Sequence, residues 1–109
     1  MKINIFGSTG NIGVKSLNLI KTYFPKIKIN LLCAKDNIKL LQKQIIIFKP
    51  NYVYLENEKK SYILKNKITK GTTVLNYNDL QKYLKESKSD YTILSVSGYK
   101  SLNFLENIV

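Results

Sequence analysis

Apolar residues recur along this chain in two alternating rhythms, short strand-like runs and longer stretches at helical spacing. Lys2 to Phe6 reads as a first strand, with Ile3, Ile5 and Phe6 apolar. Gly7 to Gly10 forms a tight turn. Asn11 to Tyr23 then reads as a helix whose apolar positions are Ile12, Leu17, Leu19 and Ile20, and Pro25 closes it. Ile27 to Cys33 is a second strand, with Ile27, Ile29 and Leu31 expected on one face. Its end, Leu31-Leu32-Cys33-Ala34, is apolar on both faces, as in a buried parallel strand. Asn37 is a suitable N-cap for a helix that carries Ile38, Leu41, Ile45 and Phe48 on one stripe and stops at Pro50.

The same alternation continues. Tyr52 to Leu55 reads as a third strand, and Glu56 to Lys67 as a Lys-rich helix with Ile63 and Leu64 facing in. Gly71 turns the chain into a fourth strand, Thr72 to Leu75. Asn78 or Asp79 is the expected cap of a helix running to about Glu86. Asp90 to Val96 is a fifth strand, and Gly98 leads into a last helix with Leu102, Leu105, Ile108 and Val109. The chain ends inside that helix without a stop signal. Such β-α alternation implies right-handed crossovers and an α/β fold, a parallel sheet with helices on both faces. All 109 residues read as one domain, with no repeat and no linker.

Composition narrows the class. At 12.6 kDa the chain can bury about 65% of its unfolded surface. With 44% hydrophobic and 23% charged residues it is globular rather than disordered. The single Cys33 excludes an internal disulfide and reads as a small core residue; the absence of His excludes a His ligand or base. The apolar run Ile45-Ile46-Ile47-Phe48 falls far short of the roughly 18 residues a membrane span needs. Ile3 to Phe6 is too short for a signal-peptide core, so a cytoplasmic location is expected. The net charge is +11, yet all 18 basic residues are Lys, and they are dispersed from Lys2 to Lys100. Nucleic-acid readers depend on clustered cations and on bidentate Arg, so this surface reads as solvated and no nucleic-acid partner is expected.

The chemistry concentrates in Gly7-Ser8-Thr9-Gly10-Asn11-Ile12-Gly13, between the first strand and the first helix. In a dinucleotide-binding turn the first Gly permits the sharp exit from the strand. The middle Gly admits a pyrophosphate without a Cβ in the way, and the last lets the helix pack against the sheet. Free N–H groups at the helix start attract phosphate, and Ser8, Thr9 and Asn11 can add hydrogen bonds. The spacing G-x-x-G-x-x-G sets the middle Gly one place later than in the commonest fingerprint. The second strand ends in Ala34-Lys35-Asp36-Asn37, where such folds read the adenosine ribose. An acid there suits the 2′-OH of NAD; Lys35 and the Asn37 amide suit the 2′-phosphate of NADP. The residues leave both open.

Taken together these segments resemble the N-terminal NADPH-binding domain of the 1-deoxy-D-xylulose 5-phosphate reductoisomerase family, which has a Rossmann-type sheet. The shared features are the strand followed by Gly-Ser-Thr-Gly-x-Ile-Gly, the Ala-x-x-Asn turn ending in Asn37, and the helix closing on Phe48-Lys49-Pro50 before Tyr52. Ile93 to Gly98 resembles the family's fifth strand. The resemblance implies that Thr9, Gly10, Asn11 and Ile12 meet the cofactor phosphates and that Lys35, Asp36 and Asn37 surround the 2′-phosphate. Asn11 stands where the family most often has Ser. Asp36 stands where it often has Lys or a neutral polar residue, and Gly98 to Asn103 lacks the family's Pro-Thr.

The resemblance also implies an NADPH-dependent oxidoreductase of non-mevalonate isoprenoid biosynthesis. It would convert 1-deoxy-D-xylulose 5-phosphate to 2-C-methyl-D-erythritol 4-phosphate as a homodimer. A divalent metal, Mg or Mn, would be held by residues this chain lacks. The family's Asn-Lys-Glu segment, metal ligands, substrate-phosphate site and lid are all absent. The seven acids present, Asp36, Glu56, Glu58, Asp79, Glu86, Asp90 and Glu106, are scattered. These 109 residues are therefore expected to bind NADPH without turnover. Other readings are another Rossmann NAD(P)-dependent oxidoreductase, such as a semialdehyde dehydrogenase or short-chain reductase, and a non-catalytic module that senses a dinucleotide or binds polyanions.

Overall fold

A computed structural model describes residues 2–68 and 71–86, together with the backbone of 91–94. Its elements run β1 (Lys2–Phe6), α1 (Asn11–Tyr23), β2 (Lys28–Ala34), α2 (Ile38–Phe48), β3 (Tyr52–Leu55), α3 (Glu58–Lys65), β4 (Thr73–Leu75), α4 (Tyr77–Glu86) and β5 (Tyr91–Leu94). The expected continuation of the fifth strand to Val96, the last helix and the Gly98–Asn103 stretch lie outside the described residues.

The strands form one sheet in the order β4-β3-β2-β1-β5, and every pairing is parallel. The chain steps from β1 to β4 in one direction, so right-handed crossovers place α1, α2 and α3 on one face. Leu17 and Ile20 of α1, Leu41 and Ile45 of α2 and Leu64 of α3 accordingly pack on Ile3, Ile5, Leu32, Val53 and Leu55. To reach β5 on the far side of β1 the chain must cross the other face. Leu80 and Leu84 of α4 cover Phe6, Leu31, Cys33, Tyr54 and Leu75 there. The expected α/β sheet with helices on both faces is what forms.

Register aligns the carboxyl ends. Phe6 pairs with Cys33 and Leu94, Cys33 with Tyr54, and Tyr54 with Leu75. The loops that follow these residues therefore share one rim. The strand order reverses at β1, which is where open α/β sheets bind ligands.

Several local expectations differ. The β1–β2 register shifts at Asn30, so Ile29 joins one core cluster and Leu31 the other, rather than sharing a face. Asn30 enters a buried polar chain instead. Asn51 Nδ2 donates to Asn30 Oδ1 at 2.6 Å, Asn30 Nδ2 donates to the Tyr83 hydroxyl, and that hydroxyl donates to Asn4 Oδ1 at 2.8 Å. Ile12, Leu19 and Ile63 are exposed, because the apolar stripes of α1 and α3 are narrower than their sequences suggest. Helix α3 starts only after Asn57, since the Glu56 and Asn57 amides donate to Ala34 O and Lys35 O, each at 2.9 Å. The cap of α4 is Asn76, whose Oδ1 accepts from Asp79 N at 2.7 Å, rather than Asn78 or Asp79.

Candidate functional site

The Gly-rich turn leaves β1 on the shared rim. Gly7 has φ 81°, the left-handed region that favours glycine. This lets two consecutive amides reach one acceptor, with Gly7 N and Ser8 N donating to Cys33 O at 2.8 and 3.0 Å. Gly10 N then donates back to Gly7 O at 3.0 Å. Gly13 is buried, and a Cβ built there would stand 2.0 Å from Gly7 O and 2.8 Å from Ser8 Cα. The absent side chain thus lets α1 press onto the turn. Gly10 has φ −80° and ψ 172°, a conformation open to any residue. Any demand for glycine at position 10 comes from what lies over it.

The start of α1 carries the electrostatics. Gly10, Asn11 and Ile12 are exposed and Thr9 is half-buried. No side chain among the described residues caps this helix, and its first turn holds no acid. By contrast Asn37, Asn57 and Asn76 each accept an amide at the start of α2, α3 and α4. The first amides of α1 therefore face solvent with the positive end of the helix dipole behind them. The Ser8 hydroxyl does not join them. Ser8 is fully buried and its Oγ has no hydrogen-bond partner among the described residues, because the bonds to Cys33 O draw this residue beneath the turn. Thr9 and Asn11 are the side chains left on the outside.

The second loop lies beside the first. Lys35, Asp36 and Asn37 are exposed, and their backbone is braced by Asn57 N on Lys35 O at 2.9 Å and Ile38 N on Asp36 O at 3.0 Å. Asn37 Oδ1 is taken by Leu40 N at 3.1 Å, which turns its amide NH2 into the group free to donate outward. Ala34 contributes no side chain to the rim: its methyl is in the core and its carbonyl accepts from Glu56 N. Cys33 is fully buried and burial pushes its thiol pKa well up, which fits the core role and not a nucleophile.

Sequence reading missed Gln44. It sits on the inner stripe of α2 between Leu41 and Ile45, is 5% exposed, and donates from Nε2 to Ser8 O at 2.7 Å. Its one sequence signal is a polar residue at a position the helical stripe reserves for apolar ones.

A cleft of about 300 Å³ also opens where β3 and β4 end, with Tyr54, Glu56, Glu58, Lys65, Tyr77 and Asp79 in its wall. Burial pushes the Tyr54 hydroxyl pKa up to about 12, so it stays neutral. Three carboxylates against one lysine make that cleft unfit for phosphate. The donor-rich, acid-free start of α1 is fit for it. Among the described residues no group of three or more His, Cys, Asp or Glu could hold a metal ion, and no helix is long and apolar enough to cross a membrane.

A family model for 1-deoxy-D-xylulose 5-phosphate reductoisomerase matches residues 3–107. The chain belongs to this family. The Campylobacter lari reductoisomerase is 34% identical over 99 residues, which is 91% of this chain and 26% of that protein. The Wigglesworthia glossinidia brevipalpis reductoisomerase is 36% identical over 109 residues, covering 95% of this chain and 28% of its own length. A crystal structure of DOX-P reductoisomerase in complex with NADPH, fosmidomycin and magnesium superposes with a TM-score of 0.78 at 20% identity, over 88% of this chain and 24% of that one. The reductoisomerase fold is thus shared. The chain spans about a quarter of the length of the curated reductoisomerases it matches.

Proposed function

We propose that these 109 residues are the NADPH-binding part of a 1-deoxy-D-xylulose 5-phosphate reductoisomerase. The observation that carries the reading is the uncapped, acid-free start of α1 on the Gly7–Gly13 turn, at the strand-order reversal. The first amides of α1, with the Thr9 hydroxyl and the Asn11 amide, receive the pyrophosphate. Lys35 and the Asn37 NH2 receive the adenosine 2′-phosphate, and Ile12 offers the cofactor an apolar contact. Asp36 beside Lys35 weakens the preference for the phosphate by like-charge repulsion. NADPH is the complex reported for the related crystal structure, which supports this cofactor over NADH.

When bound, NADPH supplies the hydride that reduces the aldehyde formed by rearrangement of the sugar phosphate. This chain's part is to anchor the dinucleotide at two loops and to fix its reach along the rim. A divalent metal finds no ligand cluster among the described residues. The chain on its own binds NADPH without turnover; isoprenoid biosynthesis, a homodimer and a cytoplasmic location follow from the family reading.

Fluorescence titration with NADPH tests this. The unaltered chain binds, and Gly10→Val weakens binding by at least about tenfold, because a branched side chain then stands over the amides. The backbone at position 10 tolerates valine, so the fold is kept. Asp36→Lys raises the preference for NADPH over NADH. Equal affinity in the Gly10 variant removes the turn as the phosphate site, and an unmoved ratio removes Asp36 from the 2′-phosphate.

A further inference from the structure

Among the described residues, Cys33 O holds the turn from beneath and Gly13 packs behind it. A further contact comes from a different element. Gln44 of α2 reaches 36 residues back along the sequence to take the Ser8 carbonyl. The Ser8 residue is therefore pinned on both sides, its N–H by β2 and its C=O by α2. Thr9 and the exposed amides of α1 follow directly, so their direction depends on that grip.

The arrangement is not the one stability alone would select. Among the described residues Gln44 Oε1 is buried with no hydrogen-bond partner, and so is Ser8 Oγ. Burying an amide with half its capacity unmet is unfavourable relative to an apolar side chain of the same size. The return is orientation. Helix α2 also presents Asn37 at its start, two turns before Gln44, on the loop assigned to the 2′-phosphate. One rigid helix thus touches both loops of the dinucleotide site.

We propose that Gln44 is a positioning residue for NADPH, holding the Ser8 carbonyl so that the first amides of α1 face the cofactor phosphates. The inference rests on the NADPH reading above, and its test separates the two. Gln44→Met keeps length and volume but cannot donate. Gln44→Glu donates only while its carboxyl is protonated. NADPH affinity is measured on the 109-residue chain by fluorescence titration, and amide hydrogen exchange across Ser8–Gly13 is followed without ligand.

The expected result for Gln44→Met is roughly tenfold weaker NADPH binding, with faster exchange at the Ser8 and Gly10 amides, which donate to Cys33 O and Gly7 O, and unchanged exchange in β2. For Gln44→Glu the loss, taken as a ratio to the unaltered chain at each pH, shrinks from about pH 8 to about pH 5 as the buried carboxyl gains its proton. The ratio cancels titration of the cofactor's own phosphate, and a packing role alone would leave Gln44→Met, which keeps the volume, binding NADPH as the unaltered chain does. If the unaltered chain binds NADPH and neither variant changes affinity or turn exchange, the positioning role is overturned. If turn exchange rises in Gln44→Met but the unaltered chain does not bind NADPH, the cofactor reading is overturned and the cofactor role of Gln44 falls with it.

Discussion

At the level of single residues, two glycines of the turn act through different physics. Gly7 is needed for its left-handed φ of 81°, Gly13 for the space its missing Cβ leaves. The second case allows a sign to be worked out. Gly13→Ala gains about 1 kcal/mol of helix propensity. Against this, the new methyl would stand 2.0 Å from Gly7 O, a backbone atom already accepting from Gly10 N. Either α1 backs away or the turn opens, at a cost of about 2–3 kcal/mol. The clash wins, so Gly13→Ala lowers the urea midpoint and loosens NADPH together. A midpoint equal to or above that of the parent chain would show that α1 does not press on the turn. The glycine spacing made both roles legible in the sequence. Gln44 was not legible, because a glutamine in a helix reads as surface until the sheet register places Ser8 opposite it.

Secondary-structure elements show where pattern suffices and where it fails. Strand and helix order follows from the alternation of apolar rhythms and Asn37 is the expected cap, whereas Asn57 and Asn76 cap α3 and α4 where the pattern pointed to other starts. The inward face of β2 could not be read, because the shift at Asn30 depends on pairing with β1. Exposed Ile12, Leu19 and Ile63 were misassigned because a hydrophobic residue outside is common and unmarked. The caps also permit a controlled comparison. Asn37→Ala and Asn57→Ala each remove one cap bond of 3.1 Å and cost about 1 kcal/mol of stability. Only Asn37 borders the proposed 2′-phosphate loop. Denaturation should therefore treat the two variants alike, while NADPH titration should separate them, with weakening confined to Asn37→Ala and less marked for NADH. Equal affinity in both variants would remove Asn37 from the cofactor site.

Across the whole molecule, charge sets a tension between fold and ligand. Eighteen lysines against seven acids give +11, and like charges repel across a body only 34 × 32 × 25 Å. Those spans are a few screening lengths at 0.1 M salt, where the Debye length is about 10 Å. Added salt therefore screens the repulsion and stabilises the unliganded chain. A gain of about 1 kcal/mol corresponds to roughly 4–8 °C in Tm at this size. The same screening weakens the attraction of cofactor phosphates to Lys35 and the start of α1. The two effects have opposite signs in one thermal-shift experiment. Between about 20 and 300 mM NaCl the unliganded Tm rises, while the extra rise given by a fixed NADPH concentration shrinks. A fall in the unliganded Tm would mean that the lysines are locally compensated by the seven acids. A constant NADPH increment would mean that the dinucleotide is held without its phosphates, against the assignment of both loops. The separation works because the repelling lysines are dispersed along the sequence, whereas the positive groups proposed to bind, Lys35 and the start of α1, lie at the carboxyl ends of β2 and β1.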